Sequence, residues 1–511
     1  MSAADFLGAL PLIVLAVGAL LVLAAAAFTR SLLASFVLTL VTLGVSLASS
    51  AVLMAQGPYT VAGILSFDSF VLFGFLLILG ATFFAAISSW AALRSRRGEG
   101  GDFFFLFLLS ALGACVLAAS AAFASFFLGL ELMSVSLYAL IGWRRESGRG
   151  TEAAIKYLVI AGASSAFLLF GMALFYADTG TMSLAQLAAA GQGPLAPVGL
   201  GMMLVGIGFK LAVVPFHLWT PDVYDGAPAP VTGFIATVSK GAMVVVMVRA
   251  FAPALVGTGG INGLVGEGAV AAAAAFPWVF AVIAGLSMFA GNILALRERN
   301  VKRILAFSSI AHLGYILVAF LAGGVEALRA VSFYLVAYFV TTLGAFAAIT
   351  ELSGPEADAD DLSHYEGLAA RRPWLAAGFT SMLLSLAGLP LTAGFIGKFL
   401  ILRAGAGAQL WILAVILAVN TTISIFYYLK IVSAMFRGFA GHGAAGHAAA
   451  AGNAAANAQG AAVTAAAGAG AARIPVLAAA ALIALTVLVI ALGVFPSPLI
   501  SFIGSLHTGG L

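Results

Sequence analysis

Residues 103–143 read FFFLFLLSALGACVLAASAAFASFFLGLELMSVSLYALIGW, and this stretch contains one charged residue, Glu131. A membrane-spanning helix needs about 20 consecutive apolar residues. The stretch is about twice that length, so it predicts two spanning helices joined by a tight turn near Ser120. Transmembrane β-strands alternate apolar and polar residues over about ten positions. This stretch is apolar on all sides instead, which excludes a β-barrel and favours helices.

The composition of the whole chain is that of an integral membrane protein. Of its 511 residues, 63% are hydrophobic and 8% are charged, and the mean hydropathy is +1.14, whereas about 25% of the residues of a soluble domain are charged. We therefore predict an all-α polytopic membrane protein with about 14 transmembrane helices. The predicted spans are 9–28, 32–54, 68–92, 103–119, 121–142, 153–177, 197–217, 228–251, 271–293, 302–322, 328–352, 374–402, 409–436 and 475–497.

Two of the predicted spans contain a proline that interrupts the helix. Pro215 lies in the seventh span and Pro390 in the twelfth, and broken helices inside a membrane line polar cavities. The two spans are an odd number of helices apart, which reverses their direction and predicts two inverted five-helix repeats. We predict a single transmembrane domain over 1–511, divided into three N-terminal helices (1–100), a first repeat (103–251), a second repeat (271–437), an Ala/Gly-rich linker (438–473) and a last helix (475–497).

The distribution of basic residues predicts the orientation of the chain. Alternate loops hold 15 of the 23 lysines and arginines, and the opposite loops hold only Arg249, Arg329 and Arg403 near helix ends. By the positive-inside rule the basic loops face the cytoplasm, and both termini are periplasmic. The residues of the basic loops are Arg30, Arg94, Arg96, Arg97, Arg144, Arg145, Arg149, Arg297, Arg299, Lys302, Arg303, Arg371, Arg372, Arg437 and Arg473.

Several classes of function are excluded by what the chain lacks. The net charge of +4 and the pI near 9.2 follow from the loop arginines, so they do not indicate nucleic-acid binding. The single cysteine, Cys115, excludes an internal disulfide and an iron–sulfur cluster held by this chain alone. His442 and His447 in the linker are too few ligands for a metal site. We therefore predict no cofactor and no metal in this chain.

A few ionisable residues remain deep inside the predicted spans. They are Lys210, Lys240, Lys398 and Glu131, with His312 as a further candidate. A charge at the centre of a bilayer costs about 2.5–3.5 kcal/mol on insertion scales. A single structural ion pair between Glu131 and a lysine would explain one lysine and leave two unexplained. The pattern therefore favours a function for the buried lysines.

Lysine is suited to carrying protons through such a site. Its reference pKa of about 10.4 falls when the amine is desolvated and rises beside a carboxylate. A nearby charge can therefore switch it between holding and releasing a proton, and Glu131 is the candidate for that charge. The prolines near Lys210 and Lys398 break their helices, and a broken helix admits the water that a proton path needs.

Three stretches resemble a known family. They are KLAVVPFHLWTPDVYDGAPAPVTGFIATVSKGA (210–242), SLAGLPLTAGFIGKF (385–399) and GLELMSVSLYALIGWR (129–144). They resemble subunit N (subunit 2) of proton-pumping NADH:quinone oxidoreductase, respiratory complex I, over residues from about 100 to 437. The resemblance implies an antiporter-like fold. Chain M of the same complex differs in carrying a glutamate where Lys398 stands.

The resemblance also implies a role for each deep residue. Glu131 and Lys210 match a glutamate–lysine pair, Lys240 matches a central lysine, and Lys398 matches the lysine of the second broken helix. Protons are expected to move from the cytoplasm to the periplasm through this relay, coupled to quinone reduction by other subunits of the translocase. FMN and iron–sulfur clusters are expected in those partner subunits. Two alternatives stay open, a subunit of a multisubunit cation/proton antiporter and a spacer that does not pump.

Overall fold

The computed structural model of the chain describes residues 3–94, 100–187, 193–256, 271–354, 357–437 and 476–506. The predicted linker at 438–473 lies outside the described residues, and so do His442, His447, Arg96, Arg97 and Arg473. The described part is almost entirely helical, with one small antiparallel hairpin of strands β1 (Tyr59–Val61) and β2 (Leu65–Phe67).

The helices follow the hydrophobic runs of the sequence. Two short 3₁₀ turns cover Leu184–Gln186 and Leu362–Tyr365, and a π-helical stretch covers Ile235–Ser239. The α-helices are α1 (Ala3–Gly8), α2 (Leu10–Thr29), α3 (Leu32–Met54), α4 (Ser69–Arg94), α5 (Gly101–Ala119), α6 (Phe123–Ile141), α7 (Gly148–Thr179), α8 (Leu195–Leu211), α9 (Trp219–Gly226), α10 (Ala229–Phe234), α11 (Lys240–Val256), α12 (Ala271–Arg297), α13 (Val301–Ala322), α14 (Gly324–Leu352), α15 (Leu368–Arg371), α16 (Pro373–Ala387), α17 (Ala393–Gly407), α18 (Trp411–Phe436), α19 (Val476–Val494) and α20 (Ser497–Gly504).

Twelve helices in the described part of the chain are long and apolar enough to cross a membrane. This confirms the prediction of an all-α polytopic membrane protein. The predicted turn near Ser120 falls between α5 and α6. The count of fourteen helices and the two five-helix repeats stay predictions.

The seventh predicted span ends in a helix break, and the twelfth is built from two shorter helices. The chain leaves helical geometry at 212–218, between α8 and α9, and at 388–392, between α16 and α17. Pro215 and Pro390 lie inside these two breaks. The predicted seventh span ended at residue 217, whereas α8 ends at Leu211, because its last turn is closed by Ala212 in the left-handed conformation (φ 60°).

Close contacts between small residues hold the first helical hairpin together. A Cβ atom added at Gly113 would lie 2.4 Å from the backbone nitrogen of Met133, and one added at Gly129 would lie 2.5 Å from that of Leu117. Membrane helices approach this closely where small residues face each other. The glycines of the stretch that predicted two helices therefore also fix how α5 and α6 pack.

Three spanning segments form the centre of the protein. In the most apolar part of each segment, 100% of the residues are buried in Ala229–Ala250 and Val301–Ala322, and 94% in Gly324–Leu352. The corresponding share is 33% in Val476–Val494. A membrane helix that is buried on all sides is surrounded by protein rather than by lipid. Polar side chains on α10, α11, α13 and α14 are therefore shielded from the bilayer.

The loops gather on two opposite faces. On one face Arg144 and Arg149 pair with Asp358 and Asp360, and Arg303 pairs with Asp222. On the other face the loop between α5 and α6 makes two β-bridges. One joins Ser120 to Leu65 of the β-hairpin, and the other joins Ala122 to Ser183, just before the first 3₁₀ turn. The first face carries loops that the positive-inside rule assigns to the cytoplasm. That assignment stays a prediction.

Candidate functional site

Lys210 lies in the last turn of α8, just before the first helix break, and is 1% exposed. Its Nζ donates hydrogen bonds to Ser134 Oγ at 2.8 Å and to Tyr157 OH at 3.1 Å, and lies 5.6 Å from the centroid of the Tyr157 ring. Both partners are neutral hydroxyls. They accept hydrogen bonds from the ammonium group, but they do not balance its positive charge.

Glu131 does not form a contact ion pair with Lys210. Its carboxylate accepts a hydrogen bond from Ser165, while Lys210 bonds to Ser134, one helical turn beyond Glu131. The sequence predicted a charge near Lys210 that switches its protonation, and in the structure the two side chains bond to different serines. The Glu131 charge still acts on Lys210 electrostatically. Glu131 is half-buried, at the edge of the bundle.

Lys240 stands where the π-helical stretch Ile235–Ser239 passes into α11, and it is 1% exposed. Its Nζ donates to the hydroxyl of Ser309 and lies 5.5 Å from the centroid of the Tyr224 ring. The Tyr224 hydroxyl is 3.3 Å from Ser309 Oγ. Single π-helical turns inside α-helices are frequent at functional sites. No pattern in the sequence predicted this π-helical turn.

Lys398 lies in α17 and reaches back across the second break. Its Nζ donates to the backbone carbonyls of Leu386 at 2.9 Å and Ala387 at 3.0 Å, at the end of α16. The last carbonyls of a helix have no partner within the helix and carry its negative partial charge. Lys398 therefore caps the first half of the broken helix, and its Nζ lies 5.1 Å from the centroid of the Tyr315 ring.

Gly388 makes room for Lys398. It has a positive φ of 84°, and a Cβ atom added there would lie 2.8 Å from Cδ of Lys398. Glycine adopts this conformation at little cost, and any other residue would also push the lysine away. The glycine after α16 therefore sets both the break and the position of the ammonium group.

His312 links two tyrosine hydroxyls in the buried centre. Its Nδ1 is 2.6 Å from Tyr334 OH and its Nε2 is 3.1 Å from Tyr428 OH. Tyr428 also bonds to the hydroxyl of Ser308. A neutral imidazole donates from one nitrogen and accepts at the other, so it passes a proton on by exchanging the two roles. Sequence reasoning found His312 but missed both tyrosines.

One helix, α13, brings the central and the last lysine together. Ser309 holds Lys240, and Tyr315, six residues further along, lies under the ammonium of Lys398. His312 lies between them, and its ring contacts that of Tyr315 at 5.5 Å. The structure therefore gathers Lys240, His312 and Lys398 along one buried helix. Lys210 lies in a separate cluster with Ser134 and Tyr157.

The three lysines share one electrostatic feature. Among the residues that the structure describes, Lys210, Lys240 and Lys398 form no ion pair with a carboxylate. Their partners are hydroxyls, aromatic rings and backbone carbonyls. A buried charge without a counter-charge is costly, so each amine holds its proton only under conditions set by its surroundings.

A fourth buried lysine, Lys302, behaves in the opposite way. The sequence assigned it to a cytoplasmic loop, but it lies in the first turn of α13 and is 1% exposed. Its Nζ is 2.7 Å from Asp358 Oδ2, and it also donates to the carbonyls of Asp225 and Ala227. Arg144 binds the other oxygen of Asp358. Sequence reasoning missed this pair because Lys302 lies in a basic run that is typical of a solvated loop.

Asp358 is held ionised by these two partners. Burial disfavours the charged carboxylate, but the positive charges of Lys302 and Arg144 outweigh that effect and hold the pKa of Asp358 below its ordinary value. The pair joins α13, the loop after α6 and the loop after α14. It is a structural ion pair, in contrast to the three unpaired lysines.

The described residues contain no group of three or more histidines, cysteines or acidic residues that could hold a metal ion. Cys115 is buried in α5 among apolar side chains. The candidate site consists of amines, hydroxyls and an imidazole, which are groups that exchange protons.

Comparison with known proteins shows which class of membrane protein this chain belongs to. Residues 120–424 match the family model described as NADH:quinone oxidoreductase/Mrp antiporter, TM. "NADH-quinone oxidoreductase subunit N" of Ectopseudomonas mendocina is 43% identical over 447 residues, covering 85% of this chain and 87% of the relative. The protein of the same name from Methylococcus capsulatus is 42% identical over 436 residues, covering 84% and 86%. The chain belongs to the NADH-quinone oxidoreductase subunit N family, which confirms the resemblance seen in the three sequence stretches.

Solved structures agree with this family. A chain of respiratory complex I from Thermus thermophilus with bound aureothin is similar with a TM-score of 0.76 and 30% identity, covering 97% of this chain and 100% of that one. A chain of the Mrp complex from Dietzia sp. DQ12-45-1b has a TM-score of 0.80 at 24% identity, covering 99% and 97%, which is a likeness of fold.

Proposed function

We propose that this chain is a proton-translocating membrane subunit of a bacterial NADH-quinone oxidoreductase. Lys210, Lys240 and Lys398 carry the protons, and His312 passes them on between the last two. Glu131 acts on Lys210 as a charge at a distance. The family, to which relatives named NADH-quinone oxidoreductase subunit N belong, supports the assignment.

The observation that carries this proposal is the absence of counter-charges around the three lysines in the described part of the chain. If the lysines only held helices together, each would be paired as Lys302 is paired with Asp358. An unpaired ammonium near the bilayer centre costs at least about 2.5 kcal/mol. Such groups are retained where protonation changes during function.

The hydrogen bonds favour an order for the relay. Lys240 bonds to Ser309, Ser308 bonds to Tyr428, and Tyr428 reaches His312, whose other nitrogen bonds to Tyr334. Protons taken up from the cytoplasm reach Lys240 and cross by this bridge to Lys398, with water at the two places where the described residues form no hydrogen bond, between Ser309 and Ser308 and between Tyr334 and Lys398. They leave to the periplasm along α17. Transfer from Lys210 to Lys240 needs water between their two clusters.

Energy for this movement comes from outside the chain. The neighbouring membrane subunits of the complex are the partners, and FMN and iron–sulfur clusters are held by other subunits. Each proton moved against about 100 mV costs about 2.3 kcal/mol. A change of about two pKa units on one lysine supplies that much, so an electrostatic shift passed between subunits is sufficient.

Two other functions remain to be separated by experiment. A multisubunit cation/proton antiporter has the same fold, as the Mrp likeness indicates, but the subunit N relatives are far more similar to this chain in sequence. A spacer without pumping requires the lysines to be structural, which their neutral partners disfavour. We also propose that the chain sits in the inner membrane with both termini in the periplasm.

The function is tested by changing Glu131 and Lys210 singly and together. Glu131→Gln removes the distant charge with little change of shape, and Lys210→Met removes the proton carrier. Because both act on one element, the double variant should pump little worse than the worse single variant, with all three complexes assembled. NADH-driven proton uptake by inverted vesicles, normalised to assembled complex, is the measurement. Poor assembly of the singles that is restored, with full pumping, in the double variant contradicts a relay and supports a structural pair.

Orientation is tested with two introduced cysteines in a Cys115→Ala background. Ser363 is exposed on the face predicted to be cytoplasmic, and Gln56 is exposed on the opposite face. A membrane-impermeant thiol reagent should label Ser363→Cys only in inverted vesicles and Gln56→Cys only in intact cells with a permeabilised outer membrane. The reverse labelling would overturn the positive-inside assignment.

A further inference from the structure

A small cavity lies between α4, α10, α14 and α19, away from the three lysines. Its volume is about 20 Å³, which is room for about one water molecule. Its walls are apolar except for Ser88 and the carboxyl of Glu351. Glu351 lies in the last turn of α14, next to the loop predicted to face the cytoplasm. No step of the relay described above uses it.

The polar atoms of this cavity have no protein partners. Among the described residues, neither Glu351 Oε1 nor Ser88 Oγ, both buried, has a hydrogen-bond partner. A buried carboxylate oxygen without a donor is costly, so it takes a proton, a water molecule or both. One water between Ser88 and Glu351 would satisfy both atoms, and the cavity has the size for it.

The charges around Glu351 are few. Arg372 donates to its backbone carbonyl at 3.0 Å, and the arginine charge acts on the carboxyl. The cavity walls contributed by α4, α10 and α19 are uncharged. Glu351 is half-buried, so its carboxyl connects the largely apolar cavity to the loop side. This position suits a group that takes up protons from water on the loop side and transfers them into the cavity.

The cavity touches the helix that carries Lys240. Pro230 and Gly233 of α10 form part of its wall, and Gly233 precedes Lys240 by seven residues, a distance of about 10 Å along a helix. Phe346, another wall residue, packs against Gly233, so that a Cβ there would lie 2.9 Å from Cβ of Phe346.

Two further unpartnered hydroxyls continue from the cavity toward Lys240. Thr342 lies one turn before Phe346 on α14, and Tyr338 lies one turn before Thr342. Thr342 Oγ1 and Tyr338 OH are buried, and neither forms a hydrogen bond of ordinary geometry in the described structure, although the two hydroxyls lie near each other. The Tyr338 hydroxyl is close enough to Ser309 to interact with it, and Ser309 holds Lys240. Buried hydroxyls of this kind are commonly bonded to water.

We propose that Glu351 is a proton-loading site of this chain, which feeds Lys240 through a short water chain past Ser88, Thr342 and Tyr338, in addition to the transfer from Lys210. The inference rests on the proposed function. The carboxylate of Glu351 binds a proton from bulk water on the loop side and releases it to the cavity water as hydronium. Proton exchange along the water chain ends on the neutral amine of Lys240, and only O–H and N–H bonds form and break.

The test is the pH dependence of pumping by the intact complex in inverted vesicles, where the loop side faces the medium. Glu351→Gln keeps the shape but cannot bind the proton. At acidic pH we expect wild-type proton uptake. At alkaline pH uptake should follow the bulk proton concentration, falling toward roughly tenfold per pH unit, while the wild-type rate falls less. The matched control is Glu366→Gln, an exposed carboxyl on the same face that pairs with Arg437 at 3.4 Å, and it should follow the wild type.

A Glu351→Gln profile that overlaps the wild type overturns the inference. If that variant fails to assemble, Ser88→Ala decides, because it removes the second partner of the cavity water without touching the carboxyl. An alkaline loss in Ser88→Ala supports the loading site, and a wild-type profile overturns it. Lys240→Met distinguishes failure of the loading site from failure of the proposed function. If it abolishes pumping while Glu351→Gln is normal, only the loading site is wrong. If it pumps normally, the proposed function itself fails.

Discussion

Replacing Lys240 by methionine is expected to leave the complex assembled and to reduce NADH-driven proton translocation at least about tenfold. Methionine fills much the same space, so the packing of α11 against α13 and α14 is kept. No amine is then available to bind the proton between Lys210 and Lys398. Crossing that gap as an unpaired charge costs at least about 2.5 kcal/mol, which is a factor of roughly 60 in rate.

Two quantities are measured in inverted vesicles: the rate of proton uptake per assembled complex, and the number of protons taken up per NADH oxidised. Lys156→Met is the matched control, because Lys156 is a partly exposed lysine at the loop face, paired with Glu152 and Asp222. The control should keep wild-type stoichiometry. A Lys240→Met complex that pumps as many protons per NADH as the wild type would remove the central lysine from the mechanism.

The largest loss of stability is expected from Asp358→Ala. This change leaves Lys302, which is 1% exposed, without a counter-charge inside the protein. Breaking a buried pair from one side costs about 3–5 kcal/mol. We therefore expect little assembled complex and a lower unfolding temperature of what remains. Lys302→Met in the Asp358→Asn background removes both buried charges and should recover much of the loss.

The yield of assembled complex and its thermal unfolding in detergent provide the measurement. Asp361→Asn is the control, since Asp361 lies in the same loop but caps the Leu362–Tyr365 turn at the surface. Asp358→Ala with wild-type stability would contradict the assignment of a structural ion pair.

The same pair predicts how stability depends on pH. The pKa of Asp358 is lower in the folded protein than its ordinary value of 3.8. A carboxyl of this kind contributes stability above its unfolded pKa, and the contribution is lost as the pH falls through the folded pKa. We therefore expect the wild type to keep this contribution throughout the neutral range, and the Asp358→Asn/Lys302→Met variant to lose less stability under strong acid.

Several features of the site were readable from the sequence because they are local. Lys210, Lys240 and Lys398 contrast with the apolar runs around them, and Pro390 is followed by a new helix at Ala393. In a bilayer every backbone polar group needs an internal partner. Long apolar runs therefore have to be helices. A charged residue inside such a run is costly, so it indicates a candidate functional site.

Other features depend on residues that are far apart in the chain. Glu131 and Lys210, predicted to interact through charge, each bond to a serine, and the two serines are different. Conversely Lys302, expected in a loop, is buried against Asp358, 56 residues away. A sequence reports how apolar the neighbourhood of a charge is, but the partner that compensates the charge arrives from another helix.

The sequence by itself determined the architecture of this protein, because the bilayer responds to hydrophobicity summed along about 20 residues at a time. It also predicted, for the same reason, that the three lysines are buried. Only the tertiary structure decided which buried lysine is paired and which is not, where the π-helical turn falls beside Lys240, and that His312 bonds to two tyrosines from other helices. These properties are set by distances of a few ångströms between helices, and no local pattern in the chain records such distances.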